Sequence, residues 1–564
     1  MAEAQTVKGN TMSRQVGFYV SESLKPVYRE IAGLLGVPFA VDGIGDTGGD
    51  NQIFAAFQAI VVDGISLTPL SSFFSNHAGQ SQIKPLILVC GPVRGETSGL
   101  RLHNFSFKLG EEAGRLLMSG REYTEKQVYE PALDLMIEEI REVLRREVIN
   151  YLELPPIPWG HSYAMILTHD IDILSLTEMP IARTFLGYFY RSSVLNWKRW
   201  RAGKVRTSEF YRTLWEMVRT WAAKAGLGSD VWKRALPELL KLEKRLGVRS
   251  SLYFMPFPKR PGILPEALQK DSDRVRTQVQ TLAPAPANRA SFYDVVNFKE
   301  LLKGLEDDGW EAGVHGIDAW HDSRSAREEY LRVANLTEQA KIGVRMHWLY
   351  FQSPDSFQSL ESGGFEYDST FGFNEVVGFR AGTLQPYHPL NCRNLWELPL
   401  HIQDGALLGE EHLDLNRKEA FLRAKPILDW AKRLGGVVSL LWHNQSFTAP
   451  RFWGEVYERL IAQGNEDGAW IAIPRDVLSW FKERRQCEAA LTIEGSHWQI
   501  RCRQVSQGQE SPAEGKSKDI PPVRIRLYLD PKRIRRASVS YAAGDGYVDF
   551  PAQALIELDV EGEG

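Results

Sequence analysis

Between residues 161 and about 484, short apolar runs recur at 163–167, 248–257, 311–314, 343–350, 365–367, 395–398, 437–442 and 469–473, separated by stretches of helical character. Parallel strands cannot be joined by a tight hairpin, so short strands alternating with long crossovers predict a parallel α/β core. A barrel fits the count, and an open doubly wound sheet is the alternative. Polar residues decide between them. They follow strand after strand, as side chains on one barrel rim do.

A chain of 564 residues exceeds what one hydrophobic core organises, so several domains are expected. Residues 1–155 read as an N-terminal α/β accessory region, with a buried strand at 85–90 and a helix marked by Leu133, Ile137, Ile140 and Leu144. The segment Pro155-Pro156-Ile157-Pro158-Trp159-Gly160 punctuates the chain and opens the central domain, 156–484. Two insertions decorate it: Trp-, Arg- and Lys-rich helices at 178–240, and a Pro-rich polar loop or lid at 258–290. In 485–564 the period changes to two. Val523, Ile525, Leu527 and Leu529 alternate with Arg524, Arg526 and Tyr528, which predicts a β-rich C-terminal domain beyond a polar linker at 506–519.

A formal net charge of −4 gives no electrostatic reason to expect a nucleic-acid partner. The basic stretches at 198–206 and 533–536 read as solvated faces. The sixteen tryptophans suit large cores or sugar-stacking surfaces. No run of about 18 apolar residues exists to span a bilayer, and the first ten residues lack the apolar core of a signal peptide, so the expectation is cytoplasmic residence. Cys90, Cys392, Cys487 and Cys502 lack CxxC spacing and are expected reduced; only the last two are near enough in sequence for a local bridge. Homo-oligomerisation is left open.

The densest chemistry is Thr168-His169-Asp170-Ile171-Asp172, directly after an apolar run. Charged groups at a buried strand end are costly without a partner, and a metal ion would supply one. Residues two apart on a strand point the same way, so Asp170 and Asp172 address one ion or one water. At the next polar strand end, His315-Gly316-Ile317-Asp318-Ala319-Trp320-His321, His315 is the firm ligand, while His321 and Asp318 compete for the following position. A helix would set His315 and His321 about 240° apart, so their meeting requires a turn at Gly316. Such donors fit Zn²⁺ foremost, with Co²⁺, Fe²⁺, Mn²⁺ or Ni²⁺ as alternatives. In Gly343-Val344-Arg345-Met346-His347, Arg345 and His347 share a strand face and can both enter the site. Asp368 pairs with Arg345 or Arg380, and Leu441-Trp442-His443 ends the last rim strand.

In their order, Thr168–Asp172, His315–His321, Gly343–Arg345, Tyr367-Asp368 and Leu441–His443 resemble the polysaccharide deacetylase family with its NodB-like homology domain, over about residues 161–480. The resemblance implies a distorted (β/α)7 barrel that hydrolyses N-acetyl or O-acetyl groups on carbohydrates. It implies Asp170 as general base, Asp172, His315 and His321 as metal ligands, Arg345 in the substrate floor and His443 as general acid. Departures are visible: the family's Asp-Asp pair is Asp-Ile-Asp here, and Ala319 stands where its second metal histidine belongs. Asp318, His347, Asp368 and Arg380 remain as further ligands or supports. The expected enzyme is a metal-dependent hydrolase of C–N bonds other than peptide bonds, acting on an acylated sugar. Alternatives are a deacylase or deformylase of a small amide, and a glycan-binding scaffold with a degenerate site.

Overall fold

The computed structural model describes residues 14–37, 39–40, 57–76, 84–181, 183–263, 291–504 and 520–561. Most of the Pro-rich 258–290 segment and all of the 506–519 linker lie outside them. The chain divides into two compact units.

One unit comprises Met1–Leu117, Ala132–His161 and Leu478–Gly564. Its five-stranded parallel sheet has the order Phe39–Ala40, Arg14–Val20, Phe57–Asp63, Leu86–Val89, Arg101–Asn104. Helix Ala132–Glu147 buries Leu133, Ile137, Ile140 and Leu144, the face that helical spacing predicts. Two four-stranded antiparallel sheets complete the unit. In one of them Arg524–Leu527 pairs with Val548–Pro551 and with Leu152–Glu153. Ile525 and Leu527 face inward on that strand, while Arg524 and Arg526 bind Asp549 at 2.9 and 2.7 Å. All four cysteines of the protein are free thiols.

The other unit, Met118–Pro131 with Ser162–Val477, carries the polar strand ends. Its strands are β1 (Ala164–Ile171), β2 (Ser251–Phe254), β3 (Glu311–Gly316), β4 (Val344–Met346), β5 (Tyr367–Asp368), β6 (Trp396–Glu397), β7 (Ile402–Gln403), β8 (Val437–Leu441) and β9 (Trp470–Ala472). They form one parallel sheet in the order β6-β5-β4-β3-β2-β1-β8-β7, with β9 paired to the first half of β1. Eight of these strands fall on the apolar runs of the sequence; β7 falls on none.

This sheet is curled, and chain length requires it. Flat, eight strands at ~4.8 Å spacing would put the edges β6 and β7 roughly 34 Å apart. Yet Glu397 and Ile402 are joined by only the residues 398–401, which can bridge at most ~18 Å. β1 is buried at every position, as a strand covered on both faces must be. Helices Ala235–Leu246, Lys299–Asp307, Ser323–Ala334, Asp355–Gly363, Arg417–Leu434 and Gly454–Glu466 are the crossovers. Because all strands run in one direction, their C-terminal ends share one rim.

Candidate metal centre

Alternation along β1 sends its polar residues to opposite sides. His169 faces away from the rim site into a buried network of its own. Its Nδ1 donates to the Trp442 carbonyl at 2.6 Å and its Nε2 lies 3.0 Å from Glu243, whose carboxylate also accepts from Tyr457, Ser250 and Trp310. The strand-end imidazole thus has a protein carboxylate as its partner. Those hydrogen bonds outweigh burial and hold Glu243 below the usual carboxylate range.

Asp170 and Asp172 turn the other way, toward β3 and β4. His315, in β3, is opposite Arg345 of β4 and gives its Nδ1 proton to the Arg345 carbonyl at 3.0 Å. That bond leaves Nε2 facing the carboxylates, 3.1 Å from Asp172 Oδ1 and 3.8 Å from Asp170 Oδ2. β4 ends at Met346, and the chain turns sharply through Trp348 and Leu349 at φ 60° and 51°. The turn brings His347 against His315, with ring centroids 5.0 Å apart and His347 Nε2 3.7 Å from Asp172 Oδ1. One ligand atom each from Asp172, His315 and His347 lies within 4.8 Å of the other two. This largely buried Asp/His/His cluster is capable of coordinating a metal ion.

Two further groups border it. Asp170 Oδ1 is buried beside the cluster without a hydrogen-bond partner among the described residues. His443, just past β8, sets Nε2 3.7 Å from Asp172 Oδ2. Its Nδ1 lies 2.8 Å from Asp404 Oδ1, and the second oxygen of Asp404 accepts the His443 backbone N–H and the Ser446 hydroxyl.

Burial works against charge on Asp172, but the hydrogen bond from His315 and the fields of His443, His347 and His315 prevail, holding its carboxyl well below the usual range. His443 is pushed up to about 9: burial opposes the imidazolium, and Asp404 chiefly, then Asp172 and Asp170, favour it more strongly. His315 is likewise raised against burial by Asp170 and Asp172. A divalent cation could displace protons from such an array, and one oxygen with two imidazole nitrogens is a donor set that suits it.

His321 is not brought to His315. Glu329 accepts the backbone N–H groups of Ile317 and Asp318 at 2.9 and 2.7 Å, fixing the loop after β3 so that the half-exposed His321 pairs with Asp322 at 2.9 Å. Asp322 is itself the N-cap of Ser323–Ala334. Asp318 is buried in another arrangement, accepting the Ile263 N–H at 2.7 Å with Arg260 3.4 Å away. Arg380 stacks over Phe371 at 4.4 Å and donates to the Gly372 carbonyl at 3.0 Å.

Arg345 is fully buried over the Tyr253 ring and donates to Ser369 at 2.9 Å; its Nε and Nη1 have no hydrogen-bond partner among the described residues. Asp368 accepts from the Thr370 N–H and hydroxyl, and Glu397 accepts the Phe371 N–H at 3.3 Å. Burial raises both acids against the field of Arg345, and Asp368 raises Glu397 further. Asp404 and Glu397 were not singled out from the sequence. Asp404 follows β7, which has no apolar run to announce it. Glu397 hides within the run at 395–398.

No family model and no curated protein matches the sequence. Among solved structures, the chain is similar to a protein assigned as a polysaccharide deacetylase from Mycobacterium smegmatis, at 16% identity over 58% of this chain and 93% of that one, with a TM-score of 0.33. It is similar to the Puue allantoinase at 12% identity over 58% and 92% of the two chains, TM-score 0.34. A protein assigned as a polysaccharide deacetylase from Pseudomonas aeruginosa PAO1 gives 15% identity over 57% and 92%, TM-score 0.32. The likeness is weak in each case.

Proposed function

We propose that the chain is a metal-dependent hydrolase that removes an acyl group, acetyl foremost, from the nitrogen of a carbohydrate. The observation that carries this reading is the convergence of Asp172, His315 and His347 within 4.8 Å, bordered by Asp170 Oδ1, which has no hydrogen-bond partner among the described residues, and by His443. Residues 156–484 are assigned to catalysis, and the remainder of the chain to accessory roles. Counted as one bent strand, 396–403 gives the sheet seven staves with β9 beside them, which agrees with a distorted (β/α)7 barrel.

Asp172, His315 and His347 would hold the ion, with His347 in the position the sequence offers to His321. Zn²⁺ fits such donors best. When bound, the ion polarises the acyl carbonyl and acidifies water. Asp170, adjacent to the ligands, takes the proton of the attacking water. His443 gives its Nε2 proton to the departing amine, and Asp404 keeps it charged for that step. Arg345 carries a fixed positive charge beneath the site, with the buried acids Asp368 and Glu397 in its field.

A second reading, hydrolysis of a small acylated amide, is favoured by the cavity that His443 lines, which holds about 290 Å³, the small end for ligand sites. Release of acetate or formate from N-acetyl- and N-formyl-hexosamines and from small N-acyl amides, before and after chelation, tests both readings. Chelator-insensitive release contradicts the metal's role. No release from any substrate by the metal-loaded protein favours a glycan-binding scaffold.

A further inference from the structure

Helix Thr207–Lys224 has its polarity inverted. It buries Glu209, Thr213, Glu216 and Thr220, which recur at helical spacing on one face. On the opposite side it exposes Tyr211, Trp215 and Val218 by 62%, 61% and 59%. The buried carboxylates are deliberately held: Glu209 by Arg206 and Arg417 at 2.7 and 2.8 Å, Glu216 by Arg234. In water such a helix would hide the other face.

The preceding helical stretch, 183–201, has an outward apolar stripe as well. Leu186, Tyr190, Val194 and Trp197 recur at three- and four-residue steps and are all exposed. Trp221 fastens the two stretches into a hairpin, its ring 5.3 Å from Phe185 and 5.0 Å from Phe189. Ten of the eighteen exposed large apolar side chains among the described residues lie between Ile181 and Leu227. A concentration of that kind marks a contact surface.

Charge identifies what covers it. Residues 181–227 contain ten lysines and arginines but only two acidic residues, the buried Glu209 and Glu216, in a chain of net charge −4; Arg199, Lys204 and Arg206 also pair with Glu410, Asp414 and Glu455 from outside the segment. Lys198, Arg201 and Arg212 are exposed, and Arg201 lies over the Trp197 ring at 5.4 Å. A second copy would set this positive surface against itself. An anionic lipid layer instead receives Trp and Tyr rings at headgroup depth, Leu and Val just below, and Lys and Arg at the phosphates. No helix among the described residues is long and apolar enough to cross a membrane, so the contact lies in the plane of the surface.

We propose that the 183–224 hairpin docks the protein on an anionic lipid surface, with Leu186, Tyr190, Trp197, Tyr211, Trp215 and Val218 entering the interfacial layer. Of the basic stretch at 198–206, the exposed Lys198 and Arg201 are then lipid-facing rather than merely solvated. The same hairpin contributes Arg191, Asn196 and Arg199 to the cavity that His443 lines, so docking would bring the proposed reaction centre to substrates carried on lipid headgroups. Docking itself does not depend on the hydrolase reading, and its test needs no turnover.

The full-length protein is sedimented with vesicles of phosphatidylcholine alone and of phosphatidylcholine with phosphatidylglycerol. Binding to the anionic vesicles, weakened by salt and accompanied by a blue shift of tryptophan emission, is expected. The triple variant Tyr190→Ser, Trp197→Ser, Trp215→Ser lowers partitioning roughly tenfold or more, with circular dichroism and thermal midpoint unchanged because these side chains are largely exposed. A Lys198→Glu, Arg201→Glu variant, which leaves the apolar stripes intact, also loses affinity for anionic vesicles. Failure of the wild type to bind anionic vesicles at low salt overturns the proposal, as does undiminished binding by both variants. A solution dimer that the triple variant splits, without vesicle binding, assigns the face to a second copy and overturns it too.

Discussion

Asp404 Oδ1 lies 2.8 Å from His443 Nδ1, while Oδ2 of the same carboxylate takes the His443 backbone N–H at 2.9 Å. One buried group therefore sets the ring's orientation, its protonation and the local backbone. Asp404→Asn keeps the volume but removes the negative charge that favours the imidazolium. Turnover is expected to fall ~100- to 10,000-fold with bound metal unchanged. A raised His443 pKa means the acid form exists below it and is lost as pH rises through it. The basic limb of kcat/KM should accordingly move to lower pH in Asp404→Asn, and a limb that stays in place contradicts the role.

Asp170 and Asp172 have separable duties in this account. Asp170→Asn should abolish turnover while metal content is retained, because only the proton acceptor is removed. Asp172→Ala should lose the metal. Elemental analysis beside acyl-release kinetics distinguishes the two, and an active Asp170→Asn enzyme would remove the proposed base.

The network behind β1 is a stability element. Glu243 is fully buried with four partners, and His169 Nε2 faces it at 3.0 Å. Glu243→Gln leaves the imidazole without its carboxylate and should cost about 3 kcal/mol or more. Tyr457→Phe removes one hydrogen bond and should cost about 1 kcal/mol. Urea unfolding measures both, and equal small losses would show that the pair carries little.

His401 makes stability acid-sensitive. Its Nε2–H donates to the Thr383 carbonyl at 3.1 Å and its Nδ1 accepts the Ser439 N–H at 3.2 Å, so the fully buried ring is neutral. Burial pushes its pKa from 6.5 down to about 4. With the folded value below the unfolded one, the unfolded chain binds the extra proton in this window. Stability from this group is whole above pH 6.5 and falls as pH drops toward 4, by about 3 kcal/mol at most. His401→Gln should flatten that acid limb in urea titrations; an unaltered limb rules the residue out as its source.

Long apolar runs made most of the sheet legible, since a strand buried on both faces must be apolar along its length. β7 has two residues, Ile402 and Gln403, too few to show a period, and Asp404 was lost with it. The second nitrogen of the cluster was ambiguous for a different reason. Choosing between His321 and His347 needs the path of two loops, one held by Glu329 and one by the left-handed turn at Trp348. Neither contact is local enough to read from spacing. The inverted helix at 207–224 was recognisable as a helix, but its buried face depends on Arg234 and Arg417, residues that only the fold brings near.

The most direct test of the account is metal stoichiometry in His347→Ala beside His321→Ala, each purified and titrated with Zn²⁺. The geometry predicts that His347→Ala loses tight binding while His321→Ala, with its side chain half exposed and paired to Asp322, binds as the wild type does. Retention of metal by His347→Ala together with loss in His321→Ala would contradict the assignment of the centre.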